Sequence, residues 1–376
     1  MQDSEWTTVP TAFAEELDAV DRLSVLAATR YGPLGASSRM RIYQYVDALA
    51  EFGVDLRVSE LIDDRAVAFF YQHGWRPVGP RIRSYAKRIV LVWREQNASI
   101  LWVEKELLPW LPYGVEHTLL VHAHKPLVLD YDDAIFHMYD RNRFWLVQRA
   151  LGKKIGALME MATTVTVGNS YLAARALAAG AHNVEIIPTV VDLRRYPVCV
   201  KAEQEGLKIV WIGSPATSKY LALVAGPLAT VALRYRYRLI VIGGRPASLP
   251  GVPVEWRPWS AETEAADISE CDIGIMPLPD EPWEWGKCGY KLIQYMACGL
   301  PVVASPVGVN RDIVSNGTNG FLAGTDQEWM SALSELLESA QMRSSMGTAG
   351  RVLVERNYCL QVTAPRLAAI LRDAAG

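Results

Sequence analysis

Short apolar runs alternate with helix-period segments along almost the whole 376-residue chain. The alternation stops once, at Pro197–Gly206, and then begins again. Such alternation builds a parallel sheet with helices on both faces. Leu23–Ala28, Val54–Val58, Ile100–Val103, Leu127–Asp130, Val165–Val167 and Val184–Ile187 read as a first set of strands. Ser37–Phe52 reads as a helix that Gly53 stops, and Ser170–Ala179 as another, with Ser170 as N-cap and Gly180 past its end. Lys208–Ile212, Leu239–Ile242, Val254–Trp256, Ile273–Met276 and Val302–Ala304 form a second set, with a helix over Tyr290–Cys298. At about 150 residues per domain the length fits two domains. The pattern therefore predicts an α/β chain with boundaries at 1–196 and 197–357. A last helix, about Val362–Ala374 within 358–376, is expected to cross back onto the first domain.

Composition narrows the function classes. Hydrophobic residues make up 50% and charged residues 21%, which is the balance of a globular chain. A formal net charge of −3 gives no overall field for nucleic acid. Cys199, Cys271, Cys288, Cys298 and Cys359 show no CxxC or Cys/His spacing, so neither a disulfide framework nor a metal site is expected. Met1–Glu5 lacks the basic and apolar regions of a signal peptide. Gly299, Pro301, Pro306 and Gly308 interrupt the apolar stretch Ala297–Val309, which is too broken to span a bilayer. The expected location is cytoplasmic.

Ligands of open α/β sheets sit at the carboxyl ends of the strands, which selects the loops to read. The first, Tyr31–Arg39, carries Gly32, Gly35, Ser37 and Ser38 into a helix start that suits an anion, but it is not GxGxxG. The second, Asp130–His137, packs Asp130, Asp132 and Asp133 into four residues. It reads either as a helix cap with a solvated acidic turn or as a contact or base for a hydroxyl. A metal-binding DxD is disfavoured by the two-domain plan, and His137 alone reads most simply as structural. The third loop, Gly213-Ser214-Pro215-Ala216-Thr217-Ser218-Lys219, opens the second domain, with Gly213 for close approach and Lys219 for a phosphate.

The most informative stretch is Glu284–Ser305. A glycine-rich turn with Lys287 and Gly289 leads into a helix on which Lys291 and Gln294 are expected to share the exposed face. A helix start flanked by two lysines suits a diphosphate. Arg81–Arg94 reads as a basic amphipathic helix, with Ile82, Tyr85, Ile89, Val92 and Trp93 on one side and Arg83, Lys87 and Arg94 off it. It is either a packed helix with a wet basic face or a contact for an anionic membrane. Trp256, Trp259, Trp283 and Trp285 gather in the second domain, as core or as stacking surfaces.

Gln294–Ser305 closely resembles the donor-site segment of family-4 glycosyltransferases of the GT-B fold. Ile187–Asp192 is similar to the strand-to-linker segment that ends their first domain, and Gly32–Arg39 to its glycine loop. Val307–Val314 followed by Gly317–Leu322 resembles their loop beyond the donor sugar. These segments occur in the family's order from about residue 22 to 322. The resemblance implies two Rossmann-like domains facing a cleft, with the acceptor on the first and a nucleotide sugar on the second. It implies hexosyl transfer to a hydroxyl acceptor, with retention and without a metal or other cofactor.

On this reading Gly35, Gly213, Ser214, Lys219, Glu284, Lys287, Gly289, Lys291, Gln294 and Gly308 serve the donor. Arg39, Asp132 and His137 serve the acceptor, a glycan, a lipid-linked glycan or a small glycoside, and Asp133, Asp132 and Lys291 carry the chemistry. The sequence also departs from the family, which places two glutamates eight apart where this chain has Gly286 and Gln294. Gln294 keeps hydrogen-bonding capacity for a ribose, whereas Gly286 has none for the sugar and Glu284 is the nearest substitute. Ser214 stands where the family often has arginine. The rival readings are a catalytically silent nucleotide-sugar-binding subunit and a nucleotide-sugar epimerase. A glycoside hydrolase is disfavoured, because Asp132 and Asp133 are neighbours whose side chains diverge in an extended strand.

Overall fold

The computed structural model describes residues 22–73, 78–198 and 206–376. The expectations for Met1–Glu5, for Cys199 and for the polar residues 199–205 lie outside the described residues. Two six-stranded, all-parallel sheets form the frame. The first runs β1 Leu23–Tyr31, β2 Val54–Ile62, β3 Ile100–Glu104, β4 Leu127–Tyr131, β5 Thr164–Val167 and β6 Val184–Ile186, in the order β2-β1-β3-β4-β5-β6. The second runs β7 Leu207–Ile212, β8 Tyr237–Ile242, β9 Val254–Arg257, β10 Ile273–Met276, β11 Val302–Ala304 and β12 Gly320–Leu322, in the order β12-β11-β10-β7-β8-β9. Each order reverses at one place, between β1 and β3 and between β7 and β10. A crevice opens outside the strand ends at such a switch point. The loops after β1 and β3, and those after β7 and β10, are therefore where ligands belong.

The helices that shape the site are α1 Ala36–Arg41, α2 Val46–Ala50, α3 Val78–Trp93, α4 His137–Asp140, α5 Trp145–Leu151, α6 Ser170–Ala178, α7 Pro282–Trp285, α8 Tyr290–Ala297 and α9 Leu360–Ala375. The central strands β3, β4 and β5 are buried on both faces, as a parallel sheet covered by helices on both sides requires. One face of the first sheet packs Leu101, Leu129, Val165 and Val167 against helices. The other face packs Val25, Trp102 and Val128 against Leu360, Ala364, Leu367 and Leu371 of α9. The C-terminal helix thus completes the core of the first sheet although it follows the second. Leu360 N–H donates to Val191 O at 2.8 Å, and the Tyr45 and Thr363 hydroxyls meet at 2.8 Å.

Two local expectations need correction. The helix expected over Ser37–Phe52 is broken into α1, a short 3₁₀ turn at Tyr43–Tyr45, and α2. The break lies at Ile42, whose φ of −126° is not helical, beside Arg41 and Tyr45, which both turn inward. The N-cap of α6 is Asn169 rather than Ser170, and its side chain accepts from Leu172 N–H.

Beneath the first loop, Arg41 donates to both oxygens of Asp130, at 2.8 and 2.6 Å, and to Ile187 O at 2.6 Å. Thr166 Oγ1 donates to the same carboxylate at 2.6 Å. Arg41→Ala leaves Asp130 buried without its counter-charge. It is expected to cost about 3–5 kcal/mol of unfolding free energy, read from denaturant unfolding curves.

Candidate active site

The rim of the first domain is built from strand ends whose polar groups hold one another. Gly35 precedes α1 and has no room for a side chain, since a Cβ there would lie 2.3 Å from Tyr31 Cβ. That tight turn places Ser37 and Ser38 over the ends of β3 and β4. Ser38 Oγ donates to Glu104 Oε2 at 2.5 Å, and Ser37 Oγ donates to Asp132. Lys105 sits at φ +68°, a costly conformation for a side-chain-bearing residue. It points its Nζ to Asp132 Oδ1 at 2.8 Å and to Ser37 Oγ at 2.7 Å. Burial would raise the Asp132 carboxyl, but the Lys105 charge and the hydrogen bonds from Lys105 and Ser37 win and hold it down to about 2.

Asp133 points elsewhere, to Lys287 Nζ of the second domain at 2.6 Å. The acidic loop is not a side-chain helix cap, since the N-cap of α4 is Phe136 and no side chain caps it. Nor do its three carboxylates converge on one point. Asp130 faces Arg41, Asp132 faces Lys105 and Asp133 faces Lys287. His137 bonds Asp140 Oδ1 through Nδ1 and the Tyr171 hydroxyl through Nε2, each at 2.8 Å.

The second domain reaches this rim with Trp285–Cys288. A Cβ on Gly286 would lie 2.5 Å from Ala134 N, and one on Gly168 would lie 2.1 Å from Cys288 Sγ. Cys288 Sγ donates to Asp132 O at 3.1 Å. Asn169 Nδ2 donates to Lys287 O at 3.0 Å, so one residue caps α6 and binds the other domain. Arg39 lies 4.5 Å from the Trp259 ring, again across the domains. Gly289 opens α8 at φ +65°, and Gly308 at φ +52° brings its loop against Trp285 O. These two positions need the left-handed backbone that glycine tolerates.

The structure brings Asp132, Asp133, Lys287, Gly289 and Lys291 to one part of the cleft and places the other candidates around it. Lys219 is exposed and lies over the Tyr220 ring at 5.2 Å, and Ser214 turns the same loop. Gly213 has no space for a side chain beside the Trp211 ring. Glu284 is buried and accepts from the Tyr220 hydroxyl, while its Oε2 has no hydrogen-bond partner. Gln294 does not share an exposed face with Lys291. It is buried and donates to the Tyr196 hydroxyl at 2.8 Å, which in turn donates to Glu264 at 3.0 Å. The helical period carries Gln294 inward because Tyr290, Ile293 and Ala297 on that side pack toward the core. All four tryptophans are partly exposed. Trp283 packs on the first-domain core, and Trp256, Trp259 and Trp285 on cores of the second domain.

Helix α3 also differs from expectation. Tyr85, Ile89 and Val92 pack inward, but Ile82 and Trp93 are exposed. Arg88 is buried and donates to Thr29 O and Ser59 O. Arg83, Lys87 and Arg94 line a groove of about 660 Å³ on the outside of the domain, away from the cleft residues. The side chain of Arg81 lies outside the described ones.

Several site residues escape a reading by loops. Lys105 follows β3 in the charged run Glu104-Lys105-Glu106, a signal at a strand end that the strand assignment ending at Val103 passes over. Glu106 and Glu116 each meet the buried Lys154 Nζ at 2.7 Å. Glu116 also accepts from Leu107 N–H and Leu108 N–H, which fixes the loop that carries Lys105.

Charge is tightly coupled in the cleft. Burial works against the Lys287 ammonium, but Asp133 outweighs it and raises its pKa. Lys291 lies 5.4 Å from the Trp211 ring; burial, with the charge of Lys287, pushes it down to about 8 while Asp133 opposes. Lys291 is therefore expected to lose its charge at lower pH than Lys287, whose value is raised. In a lysine ¹³Cε NMR titration, Lys287→Gln is expected to raise the Lys291 value and Asp133→Asn to lower it.

Comparison with known proteins bears on the fold and on the second domain. Residues 206–339 match the family model described as glycosyl transferases group 1. A GDP-mannose-dependent monoacylated alpha-(1-6)-phosphatidylinositol monomannoside mannosyltransferase of Corynebacterium glutamicum is 34% identical over 86 residues, 23% of each chain. A D-inositol 3-phosphate glycosyltransferase of Streptosporangium roseum is 29% identical over 161 residues, 38% of this chain and 36% of the relative. The chain thus matches between 23% and 36% of these relatives' length. Among solved structures, Anabaena HepE in complex with UDP-glucose superposes with a TM-score of 0.70 at 16% identity, over 94% of this chain and 100% of that one. The sucrose-phosphate synthase of Thermosynechococcus elongatus superposes with a TM-score of 0.71 at 15% identity, over 94% and 99%. The chain has the GT-B fold, and its residues 206–339 are similar to the glycosyl transferases group 1 family.

Proposed function

We propose that the chain transfers a sugar from a nucleoside diphosphate donor on the second domain to a hydroxyl of an acceptor on the first. The observation that carries this reading is the placement of Lys287, Gly289 and Lys291 directly across the cleft from Asp133. A diphosphate at the start of α8 meets free backbone amides and two ammonium groups. Its charge competes with Asp133 for Lys287, so donor binding releases the Asp133 carboxylate toward the acceptor side. As the sugar bond breaks, negative charge grows on the leaving diphosphate, and Lys291 and Lys287 stabilise it.

Asp132 is less free, because Lys105 and Ser37 already engage it. Its role is to fix the rim, and Asp133 is the group that orients or deprotonates the acceptor. The relatives' names are those of transferases, which favours transfer over the silent subunit and the epimerase. The acceptor is a glycan or a lipid-linked glycan. Retention and metal independence follow from the family-4 resemblance. The protein works in the cytoplasm, with peripheral contact to the inner face of a membrane through 81–94. Among the described residues no helix is long and apolar enough to cross one.

A thermal-shift screen of UDP, GDP and their sugars tests the donor, since a ligand that binds only the native state raises its stability. Affinity for the matching nucleotide is expected to fall as pH rises through about 8, where Lys291 loses its charge. Lys291→Ala should lower transfer about a hundredfold or more. Asp133→Asn should lower it about 10²–10⁴-fold without weakening nucleotide binding. Stabilisation by no nucleotide, or equal transfer by the Asp133→Asn variant and wild type, would overturn the assignment.

A further inference from the structure

Shortly after α4, in the stretch of the first domain that continues from the acidic loop, three consecutive large apolar side chains stand in water. Phe144 is 56% exposed, Trp145 67% and Leu146 61%. Single exposed apolar residues are ordinary, but a contiguous exposed patch marks a contact surface. This one is not a loose loop. Asn142 Nδ2 donates to Met138 O at 2.8 Å, Asn142 Oδ1 accepts from Phe144 N–H at 3.0 Å, and Gln148 Nε2 donates to Asn142 O at 2.6 Å. The tip is therefore held in shape before any partner arrives, which lowers the ordering cost of docking.

Within the segment itself the charges have one sign. Arg141, Arg143, Arg149 and Lys153 are exposed, and no aspartate or glutamate occurs from Arg141 to Lys154. Arg143 lies over the Phe144 ring at 4.5 Å, so cation and aromatic share one side of the tip. Aromatic rings and leucine settle at the boundary between headgroups and acyl chains, while arginines meet lipid phosphates. A polysaccharide offers stacking for the rings but no apolar medium for Leu146. A negatively charged bilayer surface satisfies both halves of the patch.

We infer that the Arg141–Arg149 tip docks the first domain on an anionic lipid surface, with Phe144, Trp145 and Leu146 entering the interface and Arg141, Arg143 and Arg149 meeting lipid phosphates. The orientation that results places the cleft-facing rim at the bilayer, where a lipid-borne acceptor is presented. This last point rests on the proposed transfer, whereas the docking itself does not. The docking surface is separate from the 81–94 helix, whose exposed residues lie on α3.

Co-sedimentation of the full chain with phosphatidylcholine vesicles, with and without phosphatidylglycerol, tests the inference. Wild type is expected to sediment with the anionic vesicles and to be released by high salt. The triple variant F144S/W145S/L146S is expected to lower the bound fraction on anionic vesicles about tenfold or more at low salt. R141A/R143A/R149A should lose only the preference for anionic vesicles. Both variants keep the wild-type melting temperature and nucleotide-induced shift, which separates failure of docking from failure of the donor assignment. Absence of wild-type binding would overturn the inference. So would undiminished binding by the triple variant with loss in R83E/K87E, which would leave α3 as the membrane contact without the tip. A wild-type dimer that the triple variant converts to monomer, by light scattering, would assign the tip to a second copy of the chain.

Discussion

The cleft depends on a contact made where side chains are almost absent. Gly286 lies on the Ala134 backbone and Cys288 fills the space left by Gly168. Any Cβ at Gly286 or Gly168 would overlap its neighbour, so the two domains meet at a separation that only glycine permits. That approach brings the Lys287 ammonium within 2.6 Å of Asp133 and the Cys288 thiol to the Asp132 carbonyl. It also explains why the chain lacks a glutamate at 286, because a side chain there has no space in this arrangement.

Around this contact the carboxylates are shared out among cations, each in a different setting. Asp130 is buried with Arg41 and supports the first loop from below. Asp132 is held by Lys105 at the rim. Asp133 alone looks across to the second domain. Three acids in four residues repel unless each has its own partner, and burying them costs several kcal/mol unless those partners are close. The strained backbone at Lys105 is one cost of that distribution, offset by the buried Lys154–Glu106–Glu116 cluster that holds the loop.

The same physics shapes the second domain less visibly. Gln294, Tyr196 and Glu264 form a chain of buried hydrogen bonds, with Trp259 Nε1 donating to Glu264 at 2.8 Å. Tyr196 belongs to the connection between the domains, so the helix that starts at Gly289 is tied to the linker as well as to its own sheet. Buried polar groups of this kind must be satisfied, and here side chains of the network satisfy one another.

The sequence by itself determined the alternation of strands and helices, the restart near residue 206, and the glycine positions that open and close helices. Those features are local: apolar period, capping and left-handed turns depend on neighbours along the chain. It also marked the loops after β1, β4, β7 and β10 as the places for chemistry, because strand-end position follows from topology. Only the tertiary structure decided which carboxylate faces which cation, that Gln294 turns inward, that Asn169 spans the cleft and that Lys105 belongs to the rim. Those facts depend on distances between residues as far apart as Asp133 and Lys287, and the local pattern carries no record of such distances. Phe144, Trp145 and Leu146 make the same point. As a run of letters they pass for core, and only the folded chain shows them standing in water.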